Sequence, residues 1–271
     1  MVFSVEAFSF GILLVFIALS CEYIDSALGG GYGTILVPLL LLLGFENEVI
    51  IPAILFTEIW SGFFSAILHH FAGNANFEAK INFKNGSLNE FFFFSTDTKI
   101  SLILSGCGVI GGAIAALIAL NISNIIVKTY IGILVIIMGL LVFLKLRWTF
   151  SWYRIWGIGL LAAFNKGLSG GGYGPLVSSG QIIVNRNPRE AVASTSLSEA
   201  VVCISALIIY FVAGGSFLAD SFTVYLLIGA LSSVPFAVLT VKYLPIEKLS
   251  SLMGFVTIGL GILTLLKTWF L

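Results

Sequence analysis

The sequence predicts an all-α polytopic membrane protein, built from two inverted-topology repeats of about five helical segments each. Composition is the first observation: 59% of the 271 residues are hydrophobic, 10% are charged, and the mean hydropathy is +1.10. A soluble domain usually carries about 25% charged residues. The second observation is a series of ten apolar runs, and the third is a glycine-rich motif that occurs twice. Thirteen basic residues balance thirteen acidic ones, so no nucleic acid partner is predicted.

Each half of the chain contains five apolar runs, which differ in length in the same order. A helix needs about 20 residues to cross about 30 Å of hydrocarbon, so the third, fourth and fifth runs of each half are predicted to be full spans. The first two runs are shorter, at 16 and 12 residues in the first half and 13 and 12 in the second. The runs are Phe8–Tyr23, Tyr32–Leu43, Val49–Phe71, Ile100–Leu120, Ile125–Leu146, Trp152–Phe164, Tyr173–Val184, Ala191–Ala213, Phe222–Val241 and Leu249–Leu266.

An internal repeat relates the two halves. The motif GGGYG occurs at Gly29–Gly33 and again at Gly170–Gly174, an offset of 141 residues that also aligns Glu58 with Glu199. Further along, the offset falls to 122, because the connection Asn74–Lys99 is longer than its counterpart. We therefore predict one membrane domain made of two repeats. The predicted repeats are residues 1–146, with the break at 29–33, and residues 147–271, with the break at 170–174.

The distribution of Lys and Arg predicts the topology, because short cytoplasmic loops collect these residues. If each short pair of runs enters and returns, ten basic residues lie on one side and only Lys128 and Lys267 on the other. If each pair is one broken span, the split is seven to five, which is no bias. The first arrangement has inverted repeats, both termini outside and the connection Asn74–Lys99 inside. The counts do not separate a re-entrant hairpin from two thin spans, although the short lengths favour the hairpin.

The glycine-rich breaks are the predicted binding elements. Each one begins the second half-helix of its repeat, so the positive end of that helix dipole points into the membrane. Two such ends from inverted repeats would converge near the midplane, where they could bind a small anion. Alternatively, the glycines only permit tight helix packing. The predicted substrate-binding residues at the breaks are Gly30, Gly31, Tyr32, Gly33, Thr34, Ser169, Gly171, Gly172, Tyr173 and Gly174.

Charged residues inside the predicted spans are costly and should face a partner or a cavity. Lys166 precedes the second break and is a further candidate ligand of the anion. The repeat aligns it with Asp25, so the two residues could form an ion pair, either at the site or as a structural element. Glu58 and Glu199 lie in the middle of their spans. Asp25, Glu58 and Glu199 are candidates for proton coupling or gating, and fixed braces between helices are the alternative.

The cysteines and histidines are interpreted as structural. No pair of cysteines has metal-binding spacing, so we expect all three to pack as small apolar residues. His69 and His70 end the third run and have Tyr210 and Phe211 as repeat counterparts, so we expect an interfacial histidine pair without a metal site. The amino-terminal segment lacks a basic region and a cleavage site, so we expect it to be retained. The cysteines are Cys21, Cys107 and Cys203.

An intramembrane protease is disfavoured. The sequence GLSG at residues 167–170 has the form of the nucleophile motif of rhomboid proteases. Their chemistry needs a histidine on a later span, and no histidine follows Ser169. We therefore predict no catalytic residue, no metal site and no cofactor. A nucleotide-binding motif is also missing from the sequence, so transport would be secondary or channel-like.

The chain resembles the TauE/SafE sulfite exporter family of bacterial and archaeal transporters in the segments DSALGGGYGTILVPLL and NKGLSGGGYGPLVSSGQIIVNRNPREAVASTSLSEA. The resemblance extends over essentially the whole chain. It implies movement of sulfite, sulfonates such as sulfoacetate, or related sulfur-containing anions across a prokaryotic inner membrane. Together with the missing nucleotide-binding motif and the intramembrane Glu58 and Glu199, it predicts a secondary transporter that exports these anions and can be coupled to protons. The first motif has Asp25 where the second has Lys166, so the two motifs cannot contribute equally to anion binding.

Three alternatives to an anion transporter stay open. An anion channel would use the same site, and an accessory membrane protein would transport nothing. A cation substrate is the third, because intramembrane carboxyl groups outnumber Lys166. The expected partners are a small anion and the lipid bilayer, and the oligomeric state is open, a homodimer included. The carboxyl groups are those of Glu22, Asp25, Glu58 and Glu199.

Overall fold

The computed structural model describes residues 5–81, 92–119, 124–169, 172–212 and 220–270. These residues form ten helices and one antiparallel pair of strands. The helices are α1 (Val5–Leu28), α2 (Tyr32–Leu42), α3 (Asn47–Phe71), α4 (Thr96–Ala119), α5 (Asn124–Phe143), α6 (Trp152–Ser169), α7 (Tyr173–Ile183), α8 (Pro188–Val212), α9 (Ser221–Tyr243) and α10 (Ile246–Phe270), and the strands are β1 (Ala79–Ile81) and β2 (Phe92–Phe94).

The structure confirms a polytopic helical membrane protein. Within the described residues, five helices are long and apolar enough to cross a bilayer: α1, α3, α8, α9 and α10. Helix α5 adds a shorter apolar stretch, Lys128–Phe143. Large apolar side chains cover the outside of the bundle, as expected where lipid replaces water.

The first helix of each half is longer than its apolar run predicts. The run Phe8–Tyr23 belongs to the 24-residue helix α1, and the run Trp152–Phe164 belongs to the 18-residue helix α6. Polar residues interrupt the hydropathy near both helix ends, but they are buried against other helices, so the helices continue to the glycine breaks. Only the second member of each pair is short, since α2 and α7 have 11 residues each. The buried polar residues include Glu22, Asn165 and Lys166.

Helix packing follows the two halves of the chain. Helix α1 packs on α9, and its repeat counterpart α6 packs on α4. Helix α3 packs on its counterpart α8, and α5 packs on its counterpart α10. The contact of α1 with α9 is therefore repeated as the contact of α6 with α4. The other two contacts each join a helix to its own counterpart. This packing agrees with the predicted duplication, whose boundary at residue 146 stays a prediction.

The connections lie at two ends of the bundle. At one end, the backbone N–H of Trp148 donates to the carbonyl of Ile183, and Arg189 donates to the carbonyl of Leu244. These contacts join the connections α5–α6, α7–α8 and α9–α10, and we call this the basic end. At the opposite end, which we call the terminal end, Trp269 donates to Thr129 near the carboxyl terminus. This distribution favours the predicted inverted topology, which stays a prediction.

One pair of strands lies outside the helical prediction. Strands β1 and β2 pair antiparallel within the connection between α3 and α4, with Ala79 opposite Phe94 and Ile81 opposite Phe92. Each strand has only three residues, which is too short for an alternating pattern to be recognised in the sequence. The two strands pair residues from both ends of the longer connection of the first half.

Candidate functional site

The two glycine-rich breaks contact each other in the interior of the bundle. Gly30 packs against Gly174 and Pro175, and a methyl group added at Gly174 would lie 2.7 Å from the Cα of Gly30. Gly30 also has a φ of +142°, a conformation that side-chain-bearing residues rarely adopt. Glycine is therefore needed at these positions so that the two backbones can approach. The amino termini of α2 and α7 consequently lie side by side.

The amino terminus of α2 is already occupied by an internal carboxylate. The Oδ1 atom of Asp25 accepts the backbone N–H of Tyr32 at 3.1 Å. The carbonyl of Asp25 also accepts the N–H groups of Gly29, at 2.8 Å, and Gly30, at 3.2 Å. The N–H of Gly30 was predicted to bind substrate, and it is instead used to end α1. Asp25 thus satisfies the helix end that a substrate anion was expected to bind.

The amino terminus of α7 has no such cap. Gly172 precedes the helix with a φ of 77°, and no side chain caps it within the described residues. Pro175 has no N–H, so Tyr173 and Gly174 contribute the first donors of the helix. The nearest carboxyl group is that of Glu199, because a methyl group at Gly174 would lie 2.9 Å from its Oε2 atom. That oxygen accepts no hydrogen bond from the described residues.

Lys166 lies between carboxylates of both halves. Its Nζ atom is 3.0 Å from Oε1 of Glu199 and 3.7 Å from Oε2 of Glu58. The thiol of Cys203 donates to Oε2 of Glu58 at 3.1 Å and lies 3.8 Å from Nζ of Lys166. All four side chains are buried, and Lys166 and Glu199 are each 8% exposed. Helices α3, α6 and α8 therefore meet at one buried ionic cluster.

The predicted ion pair between Lys166 and Asp25 is wrong. Among the residues that the structure describes, Lys166 pairs with Glu199 and Glu58. Asp25 lies close enough for the charges of Glu58, Glu199 and Lys166 to act on it. Its side chain instead bonds to the start of α2. The pairing follows from helix order, because α8 and α3 pack against each other and bring their two carboxylates to the same lysine.

A further carboxyl group, that of Glu22 in α1, lies near the cluster. Ser26 donates to Oε1 of Glu22 at 2.7 Å, and Oε2 of Glu22 accepts no hydrogen bond from the described residues. The ring of His69 contacts the carbonyl of Ser26 at 3.2 Å and the side-chain amide of Asn74 at 2.9 Å. His69, a residue of α3, is fully buried and packs against α1, whereas the sequence predicted that it lies at the membrane interface.

The remaining predicted site residues have different environments. The rings of Tyr32 and Tyr173 are fully buried in two different apolar clusters, where their hydroxyl groups contact Thr57 and the carbonyl of Leu104, respectively. Their predicted role in lining a substrate cavity stays a prediction. The half-buried Gly33 and Thr34 line a small cavity at the start of α2. The role of Gly31 in substrate binding stays a prediction. Gly171 lies outside the described residues, and Ser169 is described only as the last residue of α6.

Cys203 is the cluster member that the sequence reading missed, because it was interpreted as a packing residue. Its position four residues after Glu199 places both side chains on one face of α8, and this spacing was the available signal. Arg186 was interpreted only as a topology residue, yet it is buried and bonds to Asp97, Gln181 and Glu190. No sequence signal linked it to Asp97, which is 89 residues away.

A comparison with models of protein families gives a match. The family described as Sulfite exporter TauE/SafE matches residues 85–264, which include 180 of the 271 residues and the second glycine-rich break. A search of curated proteins finds no match. The family match agrees with the ten-helix membrane fold and confirms the resemblance that the sequence predicts. The chain therefore belongs to the TauE/SafE sulfite exporter family.

Proposed function

We propose that this protein exports small sulfur-containing anions, such as sulfite or organosulfonates, as a secondary transporter. The observation that carries the proposal is the convergence of two glycine-rich breaks beside Lys166, in a chain of the sulfite exporter family. The uncapped start of α7 and the ammonium group of Lys166 are the positive groups available to the substrate. The membrane we propose is the inner membrane of a prokaryote, with both termini outside.

The asymmetry between the breaks defines the proposed binding site. Asp25 occupies the start of α2, so the anion binds at α7, through the N–H groups of Tyr173 and Gly174. Lys166 supplies the compensating charge. Gly31, Gly33 and Gly172 keep the approach to these donors free of side chains. The first break then has a structural role, since its backbone supports the second.

Proton coupling follows from competition for the same positive groups. Glu199 holds Lys166 at 3.0 Å and also lies beside the start of α7. An ionised Glu199 therefore occupies the position that the substrate anion needs, and the two negative charges repel each other in a medium of low dielectric constant. A proton on Glu199 releases Lys166 and the helix terminus for the anion. One proton would accordingly travel with each bound anion. Glu58, which also lies near Lys166, is the other carboxylate that can accept this proton.

A cation transporter is the second candidate, and the buried charges favour it. Four carboxyl groups interact around one lysine, so the cluster is net negative whenever more than one of them is ionised. A cation would bind the ionised cluster, whereas an anion needs it protonated. The pH dependence of binding therefore separates the two functions, since protons favour the anion and oppose the cation. The four groups are Glu22, Asp25, Glu58 and Glu199.

The test is flux in proteoliposomes loaded with sulfite, sulfoacetate, thiosulfate or a monovalent cation, with and without a pH gradient. We expect saturable anion flux that responds to the gradient and is lost in Lys166→Met. The control is Lys242→Met at the basic end, where the ammonium group contacts the ring of Tyr243. Unsaturable current would indicate a channel. Cation flux alone, or no flux of any solute, would contradict the proposal.

A further inference from the structure

A small cavity connects the terminal end of the bundle with the two breaks. Its volume is about 90 Å³, which is room for several water molecules or one small oxyanion. Gly33 and Thr34 of α2 and Gly172, which precedes α7, line it near the breaks. Lys128 of α5 and Lys267 of α10 also line it. The cavity therefore reaches the uncapped start of α7 from the side where these two lysines lie.

The two lysines bring like charges to one place. Lys128 is close enough to Lys267 for their positive charges to interact, and both side chains are half-buried. Neither ammonium group forms an ion pair within the described residues. A pair of cations without a counter-ion, held by two helices that pack tightly together, is unfavourable unless an anion joins them. The topology of the membrane protein does not explain these two lysines, because the basic residues that determine topology lie mostly at the opposite end of the bundle.

At the basic end, the positions equivalent to the cavity lining near the breaks are filled, although Lys145, which aligns with Lys267, is exposed. The repeat offsets align Val37 with Ser178, Ile131 with Met253 and Thr264 with Val142. Ser178, Met253 and Val142 are fully buried, at 0% exposure. Ser178 and Met253 also pack against Gly29, so the chain fills this side of the breaks. The structure is thus open from the breaks towards the terminal end and closed towards the basic end.

Closure at the basic end is reinforced by a hydrogen bond at the position that corresponds to Lys128. Ser250 aligns with Lys128 in the repeat, and Arg147 donates to its hydroxyl group at 2.8 Å. Burial lowers the pKa of Arg147, whose guanidinium group loses part of its hydration in this contact. The two ends therefore differ in chemistry as well as in access: Lys128 and Lys267 lie at the cavity that reaches the breaks, whereas Lys145 and Lys248 of the basic end line a separate surface cavity.

We infer that Lys128 and Lys267 form a second anion site, which holds a small oxyanion at the terminal mouth of the path between the membrane surface and the breaks. This inference rests on the proposed function and adds a site that precedes or follows the central one on the same path. Two ammonium groups bind one tetrahedral or pyramidal oxyanion through charge-assisted hydrogen bonds. Release from the shallow site needs no proton transfer, unlike release from the cluster around Lys166.

The test measures sulfite binding to the purified protein in nanodiscs of phosphatidylcholine, by isothermal titration calorimetry. We expect Lys128→Gln and Lys267→Gln each to raise the Kd about tenfold, because each removes a hydrogen bond to a charged group. Lys→Arg at either position should keep binding within a few fold. Lys242→Gln is the control, since it removes a lysine at the basic end. Raising the salt concentration should weaken binding to the wild type more than to the double variant.

Two results overturn the inference. The first is an unchanged Kd in the folded double variant, with folding checked by thermal unfolding. The second is loss of sulfite binding by the wild type when the nanodiscs contain anionic lipid, which would assign the lysines to a lipid headgroup. Parallel flux assays keep the two proposals apart. If sulfite binding depends on Lys128 and Lys267 but the protein shows no flux, the proposed transport function is rejected. If flux depends on Lys166 but the Lys128 and Lys267 variants bind sulfite as the wild type does, only the second site is rejected.

Discussion

Gly30 and Gly174 lie backbone against backbone, so that a methyl group on Gly174 would reach within 2.7 Å of the Cα of Gly30. This contact joins the two halves of the chain at the point where each half changes from its first helix to its second. It sets the distance between the starts of α2 and α7. The positions of Lys166 and Glu199 relative to the start of α7 depend on the same contact, because Glu199 also lies against Gly174.

The first prediction concerns that contact. Gly174→Ala should lower stability and abolish anion flux, because the added methyl group meets backbone that cannot move aside. Gly106→Ala in α4 is the matched control, since nothing lies within 4 Å of its added methyl group. Alanine is favoured over glycine in a helix by about 1 kcal/mol, so the control should be neutral or slightly more stable. Thermal unfolding in detergent and flux in proteoliposomes measure both effects. Equal behaviour of the two variants would refute the steric argument.

The second prediction concerns the buried ion pair. Lys166→Met leaves Glu199 and Glu58 without their positive partner, and removal of one member of a buried pair costs about 3–5 kcal/mol. Adding Glu199→Gln should restore part of the stability, because it removes one of the unpaired charges. Neither variant should transport. Thermal unfolding of the single and double variants tests this order, and a double variant less stable than Lys166→Met would contradict it.

The third prediction is the pH dependence of substrate binding. An alkyl sulfonate, whose own charge is constant over the range tested, should bind more tightly as the pH falls, because a proton on Glu199 releases Lys166. Glu199→Gln should bind with little dependence on pH. Glu247→Gln, at the exposed start of α10, is the control and should behave as the wild type does. Binding that strengthens as the pH rises would instead favour the cation transporter.

The fourth prediction concerns Arg186 at the basic end. Its guanidinium group bonds to Asp97, which is buried, and to Glu190 at 2.8 Å, which is 39% exposed. Asp97→Ala should destabilise the protein by about 3–5 kcal/mol, because Arg186 stays buried without its main partner. Glu190→Ala should cost less than about 1 kcal/mol, because its carboxyl group is partly exposed and Arg186 keeps its bond to Asp97. Thermal unfolding compares the two variants, and a similar loss in both would show that burial does not decide the outcome.

The fifth prediction separates the two histidines. His69→Ala should destabilise the protein by about 1–3 kcal/mol, since it removes the contact to the carbonyl of Ser26 and leaves the amide of Asn74 bonded only to the carbonyl of Val238. His70→Ala should have a smaller effect, because His70 is half-buried and contacts Phe77. Flux per folded molecule should stay unchanged in both variants. A change in the pH profile of flux in His69→Ala would assign that histidine to proton transfer.

Some details of the fold were beyond prediction from hydropathy. Polar residues near the end of α1 lower the hydropathy of the sequence, and the helix therefore looks shorter than it is. Glu22 and Asp25 do not face lipid, because Glu22 bonds to Ser26 and Asp25 to the start of α2. Hydropathy measures the mean preference of a segment and contains no information about the side on which a neighbouring helix lies. The same reason applies to Lys166 at the end of α6.

The sequence by itself determined the membrane class, the family and the two glycine-rich breaks, because composition, length of apolar runs and repetition are properties of the linear chain. Only the tertiary structure decided the partners of the charged residues. Lys166 meets Glu199, 33 residues away, and Glu58, 108 residues away, because α3, α6 and α8 converge. Helix packing sets the distances between side chains that are far apart in the sequence. Glu199 therefore becomes the partner of Lys166, whereas Asp25, which the repeat aligns with Lys166, caps α2.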